Sequence, residues 1–376
     1  MPGGFGGAGP ASNPSLHRCG QGSLALVPAQ GRVYQLDAAA TAIAAALLEG
    51  RAAEAVAAAM GPGAALADVR RIRDALWPGA AAPQAGGVLR WEAARPPPGR
   101  PVARRRYRVL GLGIDCGFLD EAALRLAAPV LEQLEMPGVG HRVTLAVAAE
   151  GGTVRLWREK AGRPRERLVG RAPPGMLVAL LRLALAETAL EASGEGWAVH
   201  AAAVACGGAA LLLPGEAGRG KSTLALALGR QGCTILGDDT VVLGAADHAV
   251  LALPFPISLK AGSWELATGA AAGSRLDGVA VRWLGGAGVP LAAPDARVSA
   301  AAILFPQFAA GAPTALRRLG LEEAMALLLP GLHPLGEGLT AAKLEGLIGW
   351  AAARPCLALR YGSTEEGVAA VRARLG

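Results

Sequence analysis

Apolar residues alternate with polar or small ones over 23–27 and again over 33–36, and the Pro- and Gly-containing stretch 28–32 between them predicts a β-hairpin. The period then lengthens. Asp37 stands at an N-cap position ahead of an alanine-rich helix predicted over 38–48, and further helices are predicted over 52–60 and 66–77. The last has Asp68 near its start and a basic face of Arg70, Arg71 and Arg73. Residues 1–13 read as a disordered tail and 79–104, with Pro96, Pro97 and Pro98, as a linker that separates a module over 14–78 from the rest of the chain. Strands over 106–112, 142–148 and 153–158, mixed with helices over 121–134 and 176–192, predict a small α+β unit at 105–195 without a catalytic signature. From Trp197 the order is strand (198–205), turn, strand (209–213), glycine-rich loop, helix (222–231) closed by Gly232, and strand (234–236), which predicts an α/β domain over 196–376. Residues 267–295 are poorly patterned. A strand over 299–305, helices over 321–329 and 341–353, a strand over 356–361 and a helix from Thr364 complete the reading.

Composition narrows the class. The 376 residues are 52% hydrophobic and 18% charged, enough for two or three domains with real cores, and with 4% aromatics the apolar content is mostly small residues. No segment reads as a membrane span: 197–214 is interrupted by His200, Gly207 and Gly208, and 176–192 carries Arg182, Glu187 and Glu191. The first ten residues lack a basic stretch followed by an apolar one, so no signal peptide and a cytoplasmic location are expected. Cys19, Cys116, Cys206, Cys233 and Cys356 are scattered without C-x-x-C spacing, which argues for reduced thiols rather than disulfides or a zinc site. Of the formal charge of +7, most sits between Arg90 and Arg108, a run that reads as a solvated linker or as a surface for acidic peptide or nucleic acid.

The strongest chemical signal is Gly215, Glu216, Ala217, Gly218, Arg219, Gly220, Lys221 and Ser222, a complete G-x-x-x-x-G-K-S loop between an apolar strand and a helix that continues through Thr223. Glycines let consecutive N–H groups turn inward around phosphate oxygens, and the following helix aims its positive end at the same anion. Lys221 is expected to reach the β- and γ-phosphates and Ser222 to ligate Mg²⁺. Arg219 is either a phosphate contact or a solvent-facing residue. Asp238 and Asp239 follow the next strand, seventeen and eighteen residues beyond Lys221, where ligands of open α/β sheets collect. Two carboxylates there can divide labour, one holding Mg²⁺ and the other accepting a proton from an attacking hydroxyl. His200 is either a satisfied core histidine or the residue that orients one of these carboxylates.

His200 with the following Ala201, Ala202, Ala203 and Val204, the loop from Gly215 to Ser222, and Leu236, Gly237, Asp238 and Asp239 together resemble the catalytic domain of HPr kinase/phosphorylase. The resemblance covers 196–376 and implies a P-loop kinase fold related to phosphoenolpyruvate carboxykinase, with ATP and Mg²⁺ as cofactors and a protein serine as acceptor. On it, Asp239 is the base, Asp238 the magnesium partner and His200 the support of Asp239, with the two aspartates interchangeable. A segment from Pro254 to Trp264 is similar to one in HPr-kinase-related proteins, which makes Ser258 and Lys260 candidate substrate or phosphate contacts. The phosphorolysis motif of HPr kinase/phosphorylase has no counterpart that we can place. Residues 15–77 resemble the PqqD-like peptide chaperones through Gly22 to Leu26, Gly31 to Asp37 and Thr41, Ala42 and Ile43. That implies a small winged-helix unit that adds a leader peptide to a sheet edge; a DNA-binding winged helix using Arg70, Arg71 and Arg73, or an inert folding module, stay open. The expected function is an ATP- and Mg²⁺-dependent kinase for a Ser or Thr hydroxyl of a peptide, a ribosomal precursor peptide tethered by residues 14–78 across the linker. No membrane or nucleic-acid partner is expected, and a homo-oligomer is compatible with the resemblance. A kinase for a small hydroxylated metabolite and a nucleotide-dependent scaffold are the alternatives.

Overall fold

A computed structural model describes residues 13–28, 31–60, 66–77, 89–95, 99–136, 143–161, 163–169, 172–194, 196–266, 271–276, 279–285, 289–336 and 338–375. Ser15–Cys19 (β1), Gly22–Val27 (β2) and Arg32–Leu36 (β3) form an antiparallel sheet in that order, followed by helices Ala38–Leu48 (α1), Ala53–Met60 (α2) and Leu66–Leu76 (α3). The pleat sends alternate residues of β2 to different cores. Ala25 and Val27 pack with Ala44 of α1 and Leu76 of α3, whereas Leu24 and Leu26 join a cluster with Leu344 and Leu347 near the other end of the chain. Both faces of this small sheet are therefore covered. Asp37 caps α1, its carboxylate accepting from the Ala40 N–H at 2.8 Å. Strand β1, with His17 and Arg18 inside it, lacks the clean alternation that marks its neighbours, so its sequence carries no strand signal.

The next unit consists of Trp91–Ala93 (β4), Ala103–Val109 (β5), Leu112–Phe118 (β6), Glu121–Leu131 (α4), Val143–Ala148 (β7), Arg155–Lys160 (β8), Glu166–Leu168 (β9) and Leu177–Ala192 (α5). Its six strands lie in the order β4-β9-β8-β7-β6-β5, and both helices contribute to one core with them. The stretch read as a linker, 79–104, thus includes β4 and the first residues of β5, while 79–88 and 96–98 lie outside the described residues. Three arginines of the basic run between Arg90 and Arg108 have carboxylate partners within the fold. Arg104 pairs with Asp115 at 2.6 Å, Arg105 with Glu135 at 3.2 Å, and Arg108 with Asp295.

The remaining elements are Gly196–Val199 (β10), Ala201–Cys206 (β11), Ala209–Pro214 (β12), Lys221–Arg230 (α6), Thr234–Gly237 (β13), Val241–Gly244 (β14), Val250–Leu251 (β15) and Ile257–Lys260 (β16). They continue with Ala271–Leu276 (β17), Val279–Leu284 (β18), Arg297–Val298 (β19), Ala300–Phe308 (β20), Ala315–Arg318 (β21), Leu321–Leu328 (α7), Leu332–Leu335 (β22), Ala341–Ala352 (α8), Cys356–Tyr361 (β23) and Thr364–Leu375 (α9). A six-stranded sheet, β13-β11-β12-β20-β23-β21, is the middle layer. Ala202, Val204, Leu211 and Leu213 face α6 and α9, and Ala201, Ala203, Ala210 and Leu212 face a five-stranded sheet, β19-β15-β14-β10-β22, and α8. A three-stranded sheet, β16-β18-β17, lies partly in the stretch 267–295 that shows no clear pattern.

Two sequence expectations change here. The strand read over 198–205 is broken at His200, where the chain leaves the five-stranded sheet and enters the six-stranded one; the His200 N–H donates to the Gly331 carbonyl at 2.7 Å. Cys206 and Cys233 are joined in a disulfide rather than reduced, because β11 and β13 pair antiparallel and Ala205 opposite Thr234 puts the two cysteines opposite each other at the next step. Cys19, Cys116 and Cys356 are free and buried. Among the described residues no helix is long and apolar enough to cross a membrane.

Candidate functional site

Strand register brings three separate parts of the chain to one end of the middle sheet. Ala201 pairs with Pro214 and Ala203 with Gly237, so His200 ahead of β11, Gly215 after β12 and Asp238 after β13 are neighbours. The loop between β12 and α6 turns through Gly218 and Gly220, with φ of 83° and 92°. Any Cβ at Gly220 would collide with the hydroxyl of Tyr361, which donates to the Gly220 carbonyl at 3.2 Å. Only glycine meets both requirements. Gly220 is the N-cap of α6 and supplies no side chain, so no side chain caps the first N–H groups of that helix.

Lys221 is 6% exposed. Its ammonium donates to the carbonyls of Gly215 at 2.6 Å and Glu216 at 2.8 Å, and to His200 Nε2 at 3.2 Å. Burial lowers its pKa, against the charges of Asp238 and Asp239. An ammonium can only donate, so Nε2 of His200 accepts and the ring proton resides on Nδ1. That nitrogen donates to the Asp239 carbonyl at 2.9 Å and lies 3.3 Å from its Oδ1. The imidazole is thus bonded to the Asp239 main chain, with a carboxylate oxygen of the same residue 3.3 Å away.

The two aspartates differ sharply. Asp239 is half-exposed and held at a φ of 70°, a left-handed conformation that costs a non-glycine residue about 1–3 kcal/mol. Asp238 is 1% exposed, and neither of its carboxylate oxygens has a hydrogen-bond partner among the described residues. Burial pushes its carboxyl above the usual range. The neighbouring Ser222 hydroxyl favours the charged form, as do Arg182 and Lys221, without satisfying either carboxylate oxygen. An orphaned buried carboxylate beside a hydroxyl on the first turn of α6 is a donor set that suits a hard cation. Mg²⁺ characteristically takes one or two carboxylates and completes its shell with water and phosphate oxygens. No cluster of three His, Cys, Asp or Glu side chains able to hold a metal occurs among the described residues.

A cavity of about 310 Å³ is lined by Ala217, Gly218, Gly220, Ser222 and Thr223 of the loop region, with His200, Lys221 and Asp239, and it also receives Ser258 and Lys260 from β16. Thr223 is tied to Ser263 by a hydroxyl–hydroxyl bond of 2.7 Å. Glu216 and Arg219 do not line this cavity; they are paired with each other at 2.9 Å and border a neighbouring hollow.

Arg182 belongs to the site although its sequence position gave no sign of that. It projects from α5 of the preceding unit, 6% exposed, and donates to the Asp238 carbonyl at 2.8 Å while reaching Asp239 Oδ2 at 3.5 Å. Its guanidinium lies 5.7 Å and 5.9 Å from the ring centres of Phe255 and Trp283. The only available signal was a lone arginine in an otherwise apolar helical stretch. Phe308, 44% exposed and edge-on to Tyr361, lines the same cavity and was likewise unmarked in the sequence. Compared with known proteins, the chain matches no protein-family model and no curated protein.

Proposed function

We propose that this chain is an ATP- and Mg²⁺-dependent phosphotransferase of the kind its resemblance to HPr kinase/phosphorylase implies, acting on a serine or threonine hydroxyl of a peptide. The observation that carries the reading is the pair of unequal aspartates beside a complete phosphate loop: one buried, orphaned and next to Ser222, the other half-exposed and beside His200. Loop amides and Lys221 would take the triphosphate, which requires the ammonium to give up its bonds to the Gly215 and Glu216 carbonyls. Ser222 and Asp238 would hold Mg²⁺, which supplies charge neutralisation at the phosphates. Asp239 would accept the acceptor's proton, with the imidazole bonded to its main-chain carbonyl and 3.3 Å from its Oδ1, and Arg182 holding the carbonyl of the preceding Asp238. Lys260 and Ser258, on the facing strand, are placed to touch phosphate or acceptor.

Labelled ATP tests this directly. Lys221→Ala should abolish binding of a fluorescent ATP analogue, whereas Asp239→Asn should bind it normally and transfer no label; unimpaired transfer by Asp239→Asn would remove it as the base. Label on free serine or a sugar but on no peptide would favour a metabolite kinase, and ATP binding with no labelled product a scaffold.

A further inference from the structure

Two cavities meet at His200. Besides the one floored by the phosphate loop, a larger hollow of about 590 Å³ lies against Gly215 and Glu216, the residues whose carbonyls Lys221 holds. One wall of it is α7, which presents Glu323, Ala326 and the 46% exposed Leu327. A further groove of about 300 Å³ shares Ala326 and Pro330 with this hollow and runs to Val33 and Gln35 of β3. The two hollows, adjoining at Ala326 and Pro330, together extend from β3 to His200, which also lines the cavity that holds Asp239, and so mark out a path between β3 and that cavity.

We infer that this path is the acceptor channel of the phosphotransfer proposed above, on which the inference rests, and that its occupant is an extended polypeptide. Strand β3 pairs with β2 along one edge and, among the described residues, with no strand along the other. Both faces of its sheet are already packed, so the free edge is the recognition surface left to it. A row of backbone N–H and C=O groups is satisfied by another main chain and not by a small metabolite. The inner hollow has room for several residues rather than one hydroxymethyl group. Its charged walls are internally paired, Arg317 with Glu323 and Arg219 with Glu216 at 2.9 Å, so nothing there demands a charged ligand. The sheet rests on α7 and α8 themselves: Gln35 donates to the Glu322 carbonyl at 3.2 Å, and His17 meets Glu345 at 3.0 Å. This fixes the distance from β3 to Asp239, and with it the number of residues between the paired segment and the acceptor. At the site the acceptor oxygen bonds to the γ-phosphorus, the bond from that phosphorus to the β,γ-bridging oxygen breaks, ADP leaves with the electron pair, and the hydroxyl proton passes to Asp239.

The test uses the full chain and a serine-centred peptide library with randomised flanks. Leu327→p-benzoylphenylalanine, at an exposed position, should give photo-adducts that unlabelled peptide competes away; the same substitution at Val102, 51% exposed on the other unit, should give none. Ala326→Trp, which narrows the junction, should lower kcat/KM for peptide phosphorylation about tenfold or more and leave ATP-analogue affinity unchanged. Transfer by the wild type without adducts, and indifferent to Ala326→Trp, overturns the channel and spares the kinase reading. Competed adducts without transfer keep the channel and overturn the kinase reading, and the absence of both overturns both.

Discussion

Asp238 is held where a carboxylate is least comfortable. Burial raises its folded-state pKa above the unfolded value, so below the unfolded value its protonated form costs nothing extra, and stability is lost as pH rises through the folded value. Asp238→Asn should accordingly raise the melting temperature at pH 8, with the gain shrinking as pH falls towards 4, while Mg²⁺-dependent transfer disappears. A melting temperature lowered at pH 8 would mean that the carboxylate is satisfied in the folded state. Arg182 acts on the same pair from behind. Arg182→Met should leave ATP-analogue affinity within about twofold but cut kcat about a hundredfold, the scale of losing one aligned polar group. It should also cost about 1–3 kcal/mol by stripping the buried Asp238 carbonyl of its donor. Added guanidinium ion should restore part of the lost kcat. A KM effect without a kcat effect would assign Arg182 to substrate binding instead of positioning.

Among the elements, what was legible in the sequence divides along the range of the contacts involved. The phosphate loop was readable because eight consecutive residues carry its chemistry, and the aspartate pair because a helix and a short strand return it to the loop within eighteen residues. Arg182 was not, because its role depends on α5 packing behind a strand end fifty-six residues away. The break at His200 was invisible for the same reason: an alanine- and valine-rich run reads as one strand until Gly331 supplies the carbonyl at the point where the chain changes sheets. Spacing also hid the disulfide, since Cys206 and Cys233 are 27 residues apart and become neighbours only through the register of β11 and β13. It closes the end of these strands opposite the site. Thiol titration in denaturant should find three reactive thiols of the five without reductant and all five with it. Cys233→Ser should lower stability by about 3.5 kcal/mol, as expected for opening a loop of that length. Five thiols without reductant would restore the reduced reading of the sequence.

At the scale of the whole molecule, the N-terminal sheet is built into the core of the phosphate-loop unit rather than tethered to it. Leu24 and Leu26, 0% and 1% exposed, share a cluster with Leu344, Leu347 and Met325, so residues from opposite ends of the chain exclude water together. The linker model of substrate delivery, in which the module raises a local concentration across a flexible segment, makes the two parts energetically independent; a shared core couples them. The two can be separated by cutting the module in two places. Leu26→Ala removes a side chain common to both parts and should cost about 2–5 kcal/mol, whereas Ile43→Ala acts within a cluster made by α1, α2 and α3 alone. Hydrogen exchange should therefore show Leu26→Ala lowering protection in β1, β2, α8 and β10 alike, and Ile43→Ala lowering it only in the first three helices and the sheet they cover. Because β3 and α7 also border the grooves proposed to take the acceptor, Leu26→Ala should raise the peptide KM well before it affects ATP-analogue affinity. A response to Leu26→Ala confined to the N-terminal module would show that the shared cluster carries no coupling, and peptide delivery would then be tethering alone.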